Sequence, residues 1–389
     1  MTRFNLFLFL TFVSTSIVSG QNCDCESNFQ WVKKTFEEND AGFEGVWQQG
    51  IYTLGIVKRS DAEYTGFIIE ADGVYWKQGQ VKLKIDTKKP ENNTVYYMKN
   101  HSEEQYNAEL LSKNFLQIDD MTFKRLYPVY PKDSLDTYFK SNNAQNPYIE
   151  RISDNTLLLR IPTFGGSRQE IDSLIAANKS TILETENLII DIRNNGGGND
   201  GNFQEILPLL YTNPIRTMGV EYLSTKLNNQ RMLFLLSNAE ELGLDDDGKK
   251  WFKTSYDTLE SKLGQFVNLR QESVIINKYD TIYTYPKNVG IIINEYNASS
   301  AEEFLLEARQ SKKVKLFGTT TFGAIDISNM YFVDSPCKEF QLGYCLTKRL
   351  WLPDMALDQI GIQPDCYIDK SIPPQKWIEY VDEMLNENQ

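Results

Sequence analysis

The sequence predicts an α/β core that follows a smaller all-β module. In the core, apolar runs at 188–192 and 289–293 each end in a polar turn and lead into residues with helical spacing. This strand–turn–helix alternation is typical of α/β folds. Upstream, Val81, Leu83 and Ile85 alternate with lysines in the two-residue period of a half-buried strand. We therefore predict that residues 51–130 form the all-β module and residues 151–389 the α/β core.

Residues 1–20 have the pattern of a secretory signal peptide. Arg3 supplies the positive charge, residues 6–13 the apolar segment, and Val18, Ser19 and Gly20 the small residues that favour cleavage. The apolar segment is too short to span a membrane. We therefore expect an exported protein, periplasmic or secreted after cleavage near Gly20, that has no membrane span.

Three further segments connect the signal to the core. Residues 21–50 are predicted to be a short helical segment, because Phe29, Val32 and Phe36 recur with helical spacing. In the module at 51–130, Asp72-Gly73 and Asn92-Asn93 are typical of turns between short strands. Residues 131–150 are polar and rich in asparagine, so we interpret them as a linker.

The core is predicted to alternate strands and helices. Its predicted strands are 157–161, 188–192, 289–293 and 314–317, with more strands toward 362, and its predicted helices are 168–185, 203–210 and much of 237–269. Strands that alternate with helices in this way build a largely parallel sheet.

Composition excludes several classes of function. A net charge of -13 argues against a partner such as nucleic acid or anionic lipid. The chain has one histidine, His101, and its five cysteines lack C-x₂-C spacing, so we predict neither a metal nor another cofactor. Cys337 and Cys345 flank a predicted hairpin, where an oxidising compartment would allow a disulfide bridge.

The most informative segment is V-G-I-I-I-N-E-Y-N-A-S-S-A-E-E, residues 289–303. It carries Ser299 and Ser300 from a buried strand into a helix. A hydroxyl at such a turn lies beside backbone N–H groups without helical partners, which can stabilise an oxyanion. The alternative is a capping box, formed by Ser299 with Glu302 or by Ser300 with Glu303. These residues alone leave both interpretations open.

A run of three glycines, 196–198, follows the strand at 188–192. Glycines allow a ligand to approach the backbone closely and expose N–H groups to it. The run lacks the spacing of a phosphate-binding loop and of a dinucleotide-binding loop. An ordinary flexible turn is the alternative interpretation.

Four motifs occur in an order that carries a resemblance. They are L-I-I-D-I-R-N-N-G-G-G (188–198), V-G-I-I-I-N-E-Y-N-A-S-S-A-E-E-F (289–304), L-F-G-T-T-T-F-G (316–323) and G-I-Q-P-D (361–365). Over residues 155–370 the chain resembles the C-terminal processing peptidase and tricorn-core family of serine peptidases. The resemblance implies a crotonase-like (ClpP/crotonase) core and an exported serine endopeptidase. Its substrates would be peptides or unfolded protein tails, and its oligomeric state is left open.

The resemblance also implies roles for particular residues. Ser300 matches the family nucleophile, because it begins the S-A-x-E element, and Glu303 matches the acidic residue three positions later. Asp358 matches the neighbourhood of an acidic residue of the tricorn branch. The oxyanion hole would be formed by the amide of Ala301 and by that of Gly197, or else of Gly198.

The chain departs from both branches of the family at the general base. Ala324 stands where the processing-peptidase branch has a lysine, and Arg160 stands near the expected histidine of the tricorn branch. A serine without a base is a weak nucleophile. Asp326, Lys348 and Arg160 join Asp358 as candidate bases by position only. The alternative functions are a catalytically impaired peptide- or envelope-binding protein and, disfavoured by the signal peptide, an enzyme acting on thioesters or esters.

Overall fold

The computed structural model describes residues 42–240, 242 and 244–387. The predicted signal peptide, most of the predicted helical segment, Cys23 and Cys25 lie outside the described residues. The chain divides into two compact units, Met1–Thr137 and Tyr138–Gln389.

The first unit contains a nine-stranded antiparallel sheet in the order β6-β5-β4-β3-β2-β1-β9-β8-β7. Its strands are β1 (Gly45–Gln49), β2 (Tyr52–Lys58), β3 (Glu63–Glu70), β4 (Val81–Asp86), β5 (Thr94–Tyr97), β6 (Glu103–Tyr106), β7 (Ala108–Leu110), β8 (Phe115–Ile118) and β9 (Met121–Tyr127). The outermost strands β6 and β7 are separated in sequence only by Asn107, which joins the two edges of the sheet. Trp47, Leu54, Leu83 and Phe123 are buried in its core.

Strand β1 corrects the prediction for residues 21–50, because residues 45–49 form a strand and not a helix. Backbone hydrogen bonding explains the difference, since β1 pairs with β2 on one side and with β9 on the other. Trp47 of this strand is fully buried, which stabilises the strand in the sheet. The helical spacing at Phe29, Val32 and Phe36 lies outside the described residues and does not extend to residues 45–49, which pairing with distant segments places in the sheet.

A lysine is buried in this first unit. Lys82 is 3% exposed, and its ammonium group donates a hydrogen bond to the Tyr97 carbonyl oxygen. The ammonium nitrogen lies 4.1 Å from the centroid of a Trp76 ring and 4.4 Å from that of Tyr96. Burial lowers the pKa of Lys82 to about 8. His101 packs against Trp76 with a centroid separation of 4.4 Å.

The second unit has the predicted mixed α/β fold with several sheets. Its largest sheet has the order β10-β11-β12-β17-β18-β21, in which only the β10–β11 pair is antiparallel. Smaller sheets have the orders β13-β16 and β15-β14-β20-β19. The strands are β10 (Tyr148–Ser153), β11 (Thr156–Arg160), β12 (Asn187–Asp191), β13 (Ile215–Met218), β14 (Val220–Leu223), β15 (Phe266–Val267), β16 (Val274–Asn277), β17 (Asn288–Ile293), β18 (Val314–Gly318), β19 (Ile327–Asp334), β20 (Gln341–Arg349) and β21 (Cys366–Tyr367).

The helices are α1 (Ser134–Asn142), α2 (Arg168–Glu184), α3 (Leu207–Leu210), α4 (Lys226–Ser237), α5 (Asp246–Glu260), α6 (Ser300–Ala308) and α7 (Trp377–Glu387). Helix α1 and the start of β10 lie in the segment predicted to be a linker, 131–150, which also contains the division between the units. The helix predicted at 203–210 is a 3-10 turn at Asp200–Phe203 followed by the single turn α3, which has a proline near its start.

Both faces of the parallel sheet are buried. Leu159, Ile190 and Ile291 face one hydrophobic cluster, whereas their neighbours Leu158, Ile189 and Ile292 face another that includes α7. Burial on both faces explains why these strands are continuous apolar runs. Cys337, Cys345 and Cys366 are free thiols, so the structure does not contain the bridge that the hairpin allowed.

The register of the sheet places two turns side by side. Strands β12 and β17 are parallel neighbours, with Asp191 opposite Ile292 at their carboxyl ends. The glycine run follows β12 and the serine pair follows β17. In open α/β sheets, the crevice at the carboxyl ends of the strands is where ligands bind.

Candidate active site

Two positions of the glycine run fit only glycine. Gly197 and Gly198 have φ values of +102° and +147°. A Cβ at position 198 would lie 2.1 Å from the carbonyl oxygen of Phe164. This close approach arises because Phe164 donates its N–H to the Gly197 carbonyl and accepts a hydrogen bond from the Asn199 N–H. The turn is therefore a fixed structure, which disfavours its interpretation as a flexible turn.

Asparagine side chains hold this turn against the turn that follows β17. Asn194 and Asn294 exchange two hydrogen bonds, of 2.9 and 2.8 Å. The fully buried Asn297 donates to the carbonyl oxygens of Ile192 and Asn195. Sequence reasoning missed these residues, and its only available signal was the presence of asparagines in both turns.

The two serines at the start of α6 have different environments. Ser300 is 5% exposed, and its hydroxyl donates to the Gly198 carbonyl oxygen at 3.1 Å. Ser299 is exposed and has the rare backbone conformation φ 56°, ψ -124°. A Cβ at Gly197 would lie 2.8 Å from the Ser299 Cβ and 2.9 Å from the Ser300 nitrogen. The glycine turn and the helix start are thus in contact.

Two backbone N–H groups at this contact have no partner in the described part of the chain. The N–H of Ala301 donates to the Ala298 carbonyl oxygen at 3.1 Å, and that of Gly197 donates to Asn195 Oδ1 at 3.0 Å. The N–H groups of Ser300 and Gly198, by contrast, have no hydrogen-bond partner among the residues that the structure describes. Unpaired donors beside a hydroxyl are what an oxyanion requires.

Glu302, which sequence reasoning treated only as a capping residue, organises the next loop. Its fully buried carboxylate accepts hydrogen bonds from the Thr321 hydroxyl and from the N–H groups of Gly323 and Ala324, at 2.5, 2.9 and 2.8 Å. It also accepts from the Ser299 N–H at 3.3 Å, which is one half of a capping box. The loop at 319–324 is thereby held against the serine pair.

Ala324 lies next to Ser299 in this loop. Its carbonyl oxygen accepts a hydrogen bond from the Ser299 N–H at 3.1 Å. Ala324, which the sequence resemblance matches with the lysine of the processing-peptidase branch, therefore adjoins the serine pair, but its methyl group cannot accept a proton.

Glu303 is paired with an arginine and not with Ser300. It is 3% exposed, and its two carboxylate oxygens accept from the Arg349 guanidinium, one of them at 2.5 Å. Burial raises the pKa of Glu303 to about 7, despite the opposing effect of Arg349. The pairing makes Glu303 a link between α6 and β20.

Asp358 is bound to the loop that contains Ala324. Its Oδ1 accepts from the N–H groups of Ile325 and Asp326 at 2.7 and 2.8 Å. Asp326 reciprocates, since its Oδ2 accepts from the N–H groups of Leu357 and Asp358. Within the described residues no hydrogen bond joins Asp358 to either serine. The first residue that donates to Asp358, Ile325, nevertheless directly follows Ala324.

The other candidate bases are engaged elsewhere. The buried Arg160 donates to the backbone oxygens of Ser141 and Asp191 at 2.8 and 2.9 Å. Lys348 lies 3.5 Å from Glu221 and over the Phe266 ring. Asp326 also accepts from the Trp351 indole N–H, so its carboxylate holds three hydrogen bonds within the fold.

Residues 42–240, 242 and 244–387 hold no group of three or more histidine, cysteine or acidic side chains arranged to bind a metal ion. No helix in these ranges is both long and apolar enough to cross a membrane.

Comparison with known proteins identifies relatives. The model of Peptidase family S41 matches residues 155–368. Among solved structures, mature CPAF is 17% identical with a TM-score of 0.44, the match covering 89% of this chain and 82% of that one. A lipoprotein from Streptococcus agalactiae is 16% identical (TM-score 0.38; coverage 66% and 75%). The photosystem II D1 C-terminal processing protease is 12% identical (TM-score 0.36; coverage 84% and 60%). No curated protein sequence matches the chain.

Proposed function

The chain belongs to peptidase family S41, a family of serine peptidases, and we propose that it cleaves peptides or unfolded protein tails through an acyl-enzyme on its serine pair. One observation carries the proposal: the exposed Ser299 adjoins two N–H donors, those of Ser300 and Gly198, that no described residue accepts from. A hydroxyl beside such donors can attack a carbonyl whose oxygen becomes negatively charged.

The geometry favours Ser299 over the predicted Ser300 as the nucleophile. The Ser300 hydroxyl is buried and donates to a carbonyl, whereas Ser299 is exposed. Strained backbone conformations such as that of Ser299 concentrate at active sites. The donor after Ser299 is the unpaired Ser300 N–H, whereas the donor after Ser300 is the Ala301 N–H, which is already bonded to Ala298.

The chemistry proceeds in two displacements. The serine oxygen attacks the peptide carbonyl carbon and loses its proton to a base, and the oxyanion is stabilised by the Ser300 and Gly198 N–H groups. The C–N bond then breaks, the amine leaves with a proton, and an acyl-enzyme ester remains. Water attacks that ester, releasing the carboxylic acid and restoring the serine hydroxyl.

Asp358 is our candidate for the base, because it is anchored to the loop that adjoins Ser299. Glu303 would then act by holding α6 through Arg349. The alternative function, a peptide- or envelope-binding protein with impaired catalysis, is favoured by one observation: Ala324 occupies the place of the lysine beside the serine pair.

A comparison of Ser299→Ala with Ser300→Ala tests the proposal. We expect wild type and Ser300→Ala to be labelled covalently by a fluorophosphonate probe and Ser299→Ala to lose the label, with peptide hydrolysis falling at least about a hundredfold. Loss of labelling in Ser300→Ala alone would identify Ser300 as the nucleophile. A wild-type protein that neither labels nor cleaves a diverse peptide library would support the binding function instead.

We propose two further properties from the sequence. The pattern of residues 1–20 supports export, so the substrates would be met in the periplasm or outside the cell. The resemblance supports a crotonase-like core for the second unit, preceded by the all-β module. Mass spectrometry of the expressed protein, with cleavage near Gly20 as the expected result, tests the first of these.

A further inference from the structure

Strand β19 is the outer strand of the four-stranded sheet. It pairs with β20 from Ile327 opposite Lys348 to Asp334 opposite Gln341. Across the described part of the chain, no strand pairs with its other edge, and residues 327–334 form no backbone hydrogen bond outside this ladder. Alternate residues of an antiparallel strand direct their N–H and C=O groups to opposite sides, so a row of these groups faces outward.

This free edge exposes apolar side chains, although Asn329 interrupts its extended backbone with a φ of 58°. Ile327, Met330 and Phe332 are 51%, 43% and 58% exposed. Proteins commonly protect such an edge with lysine or proline, but I-S-N-M-Y-F-V-D contains neither. Met330 and Phe332 share one face, since they are two residues apart. The Phe332 ring covers Gly343 of β20, where a Cβ would come within 2.6 Å of it.

The free edge is continuous with the loop that holds the serine pair. Ala324 accepts a hydrogen bond from the Ser299 N–H, and β19 begins three residues later. Three residues span at most about 11 Å. Asp358 fixes the connecting residues through the N–H groups of Ile325 and Asp326. The start of the edge is thus held within a few residues' reach of Ser299.

We propose that an extended segment of the substrate adds to β19 as a further strand, and that this pairing selects the substrate. Main-chain hydrogen bonds to the free edge would supply affinity, and apolar side chains at every second position would contact Met330 and Phe332. The favoured substrates are unfolded segments in which β-branched or aromatic residues alternate with polar ones. This inference rests on the proposed peptidase function, because the segment that pairs with β19 is taken to belong to the substrate of that peptidase.

A scan of backbone methylation tests the pairing directly. The probe is a fluorescein-labelled peptide of about twelve residues that alternates valine with threonine, N-methylated at one position at a time. Binding to the Ser299→Ala/Ser300→Ala variant is measured by fluorescence anisotropy. We expect every second N-methyl group to weaken binding at least about tenfold and the intervening ones to leave it nearly unchanged. Losses without this alternation would overturn the proposal.

The Phe332→Asp variant tests whether the substrate binds at the free edge of β19. We expect its KM for the long peptide to rise at least about tenfold with kcat unchanged, and its hydrolysis of a short ester to be unaffected. Phe340→Asp is the matched control, because Phe340 is 65% exposed but lies beyond β19. An unchanged KM in Phe332→Asp would overturn the proposal.

Two outcomes separate this inference from neighbouring hypotheses. Sedimentation that shows a dimer dissociated by Phe332→Asp, with peptide binding unchanged, would assign the edge to a second copy of the chain and overturn the proposal. If the wild type cleaves nothing but the alternating methylation pattern persists, the peptidase function fails and the strand-addition inference is supported.

Discussion

At the residue scale, the capping and catalytic interpretations of the serine pair are compatible. Glu302 caps the Ser299 N–H and also holds Thr321, Gly323 and Ala324. These hydrogen bonds hold the loop that adjoins Ser299. The four donors also offset the free-energy cost of burying the carboxylate. Glu302 therefore positions the site without contacting the reacting atoms.

Lys82 gives a prediction about pH and stability. Its pKa is about 8 in the folded state and 10.5 in the unfolded chain, so between these values the unfolded state binds more protons. The free energy of unfolding should therefore rise with pH in that window, by up to about 3 kcal/mol. Urea unfolding of wild type and Lys82→Met, followed by tryptophan fluorescence from pH 7 to pH 10.5, measures this rise.

Lys84→Met is the control for Lys82, because Lys84 belongs to the same strand but is exposed. Lys84→Met should keep the pH dependence of the wild type, and Lys82→Met should lose it. Equal slopes in wild type and Lys82→Met would contradict the assignment.

At the element scale, the loop at 319–324 contains the position, Ala324, at which a general base could act on the serine pair. Ala324 is positioned by Glu302 and by Ser299, so a longer side chain at 324 would begin beside the proposed nucleophile. Burial lowers the pKa of a lysine, so we expect a lysine at this half-buried position to be suited to accept the serine proton.

We predict that Ala324→Lys accelerates peptide hydrolysis, because a positioned base typically contributes about a hundredfold or more. The measurement is kcat for a fluorogenic peptide at pH 8, with an expected rise of at least about tenfold. Ala324→Met, which has similar bulk and no amine, should show no rise. If the two variants are equally active, residue 324 is not placed to serve the nucleophile.

The elements that the sequence predicted well are those with local signatures. The buried strands at 188–192 and 289–293, the glycine run and the start of α6 are each defined by neighbouring residues. Strand β1 and the asparagine pair Asn194–Asn294 were missed, because their roles depend on contacts between distant segments. The sequence assigned the nucleophile to Ser300, whereas we propose Ser299. The features that distinguish the two serines, a backbone torsion and a hydrogen-bond partner on another turn, do not follow from neighbouring residues.

At the scale of the whole molecule, the net charge of -13 acts on any charged substrate. A strongly acidic protein attracts cationic peptides over distances longer than a contact, and this steering mainly raises the rate of association. Salt weakens the attraction, because the Debye length falls from about 30 Å at 0.01 M to about 3 Å at 1 M.

The charge predicts which of two otherwise identical peptides is cleaved faster. With the same residues around the scissile bond, a peptide with a lysine-rich tail should exceed one with a glutamate-rich tail in kcat/KM by about tenfold at low salt. The two values should converge at about 0.5 M salt, where charges more than a few ångströms apart are screened. A glutamine-rich tail is the neutral control and should show little dependence on salt. A tenfold preference that persists at high salt would instead locate the selectivity in direct contacts at the site.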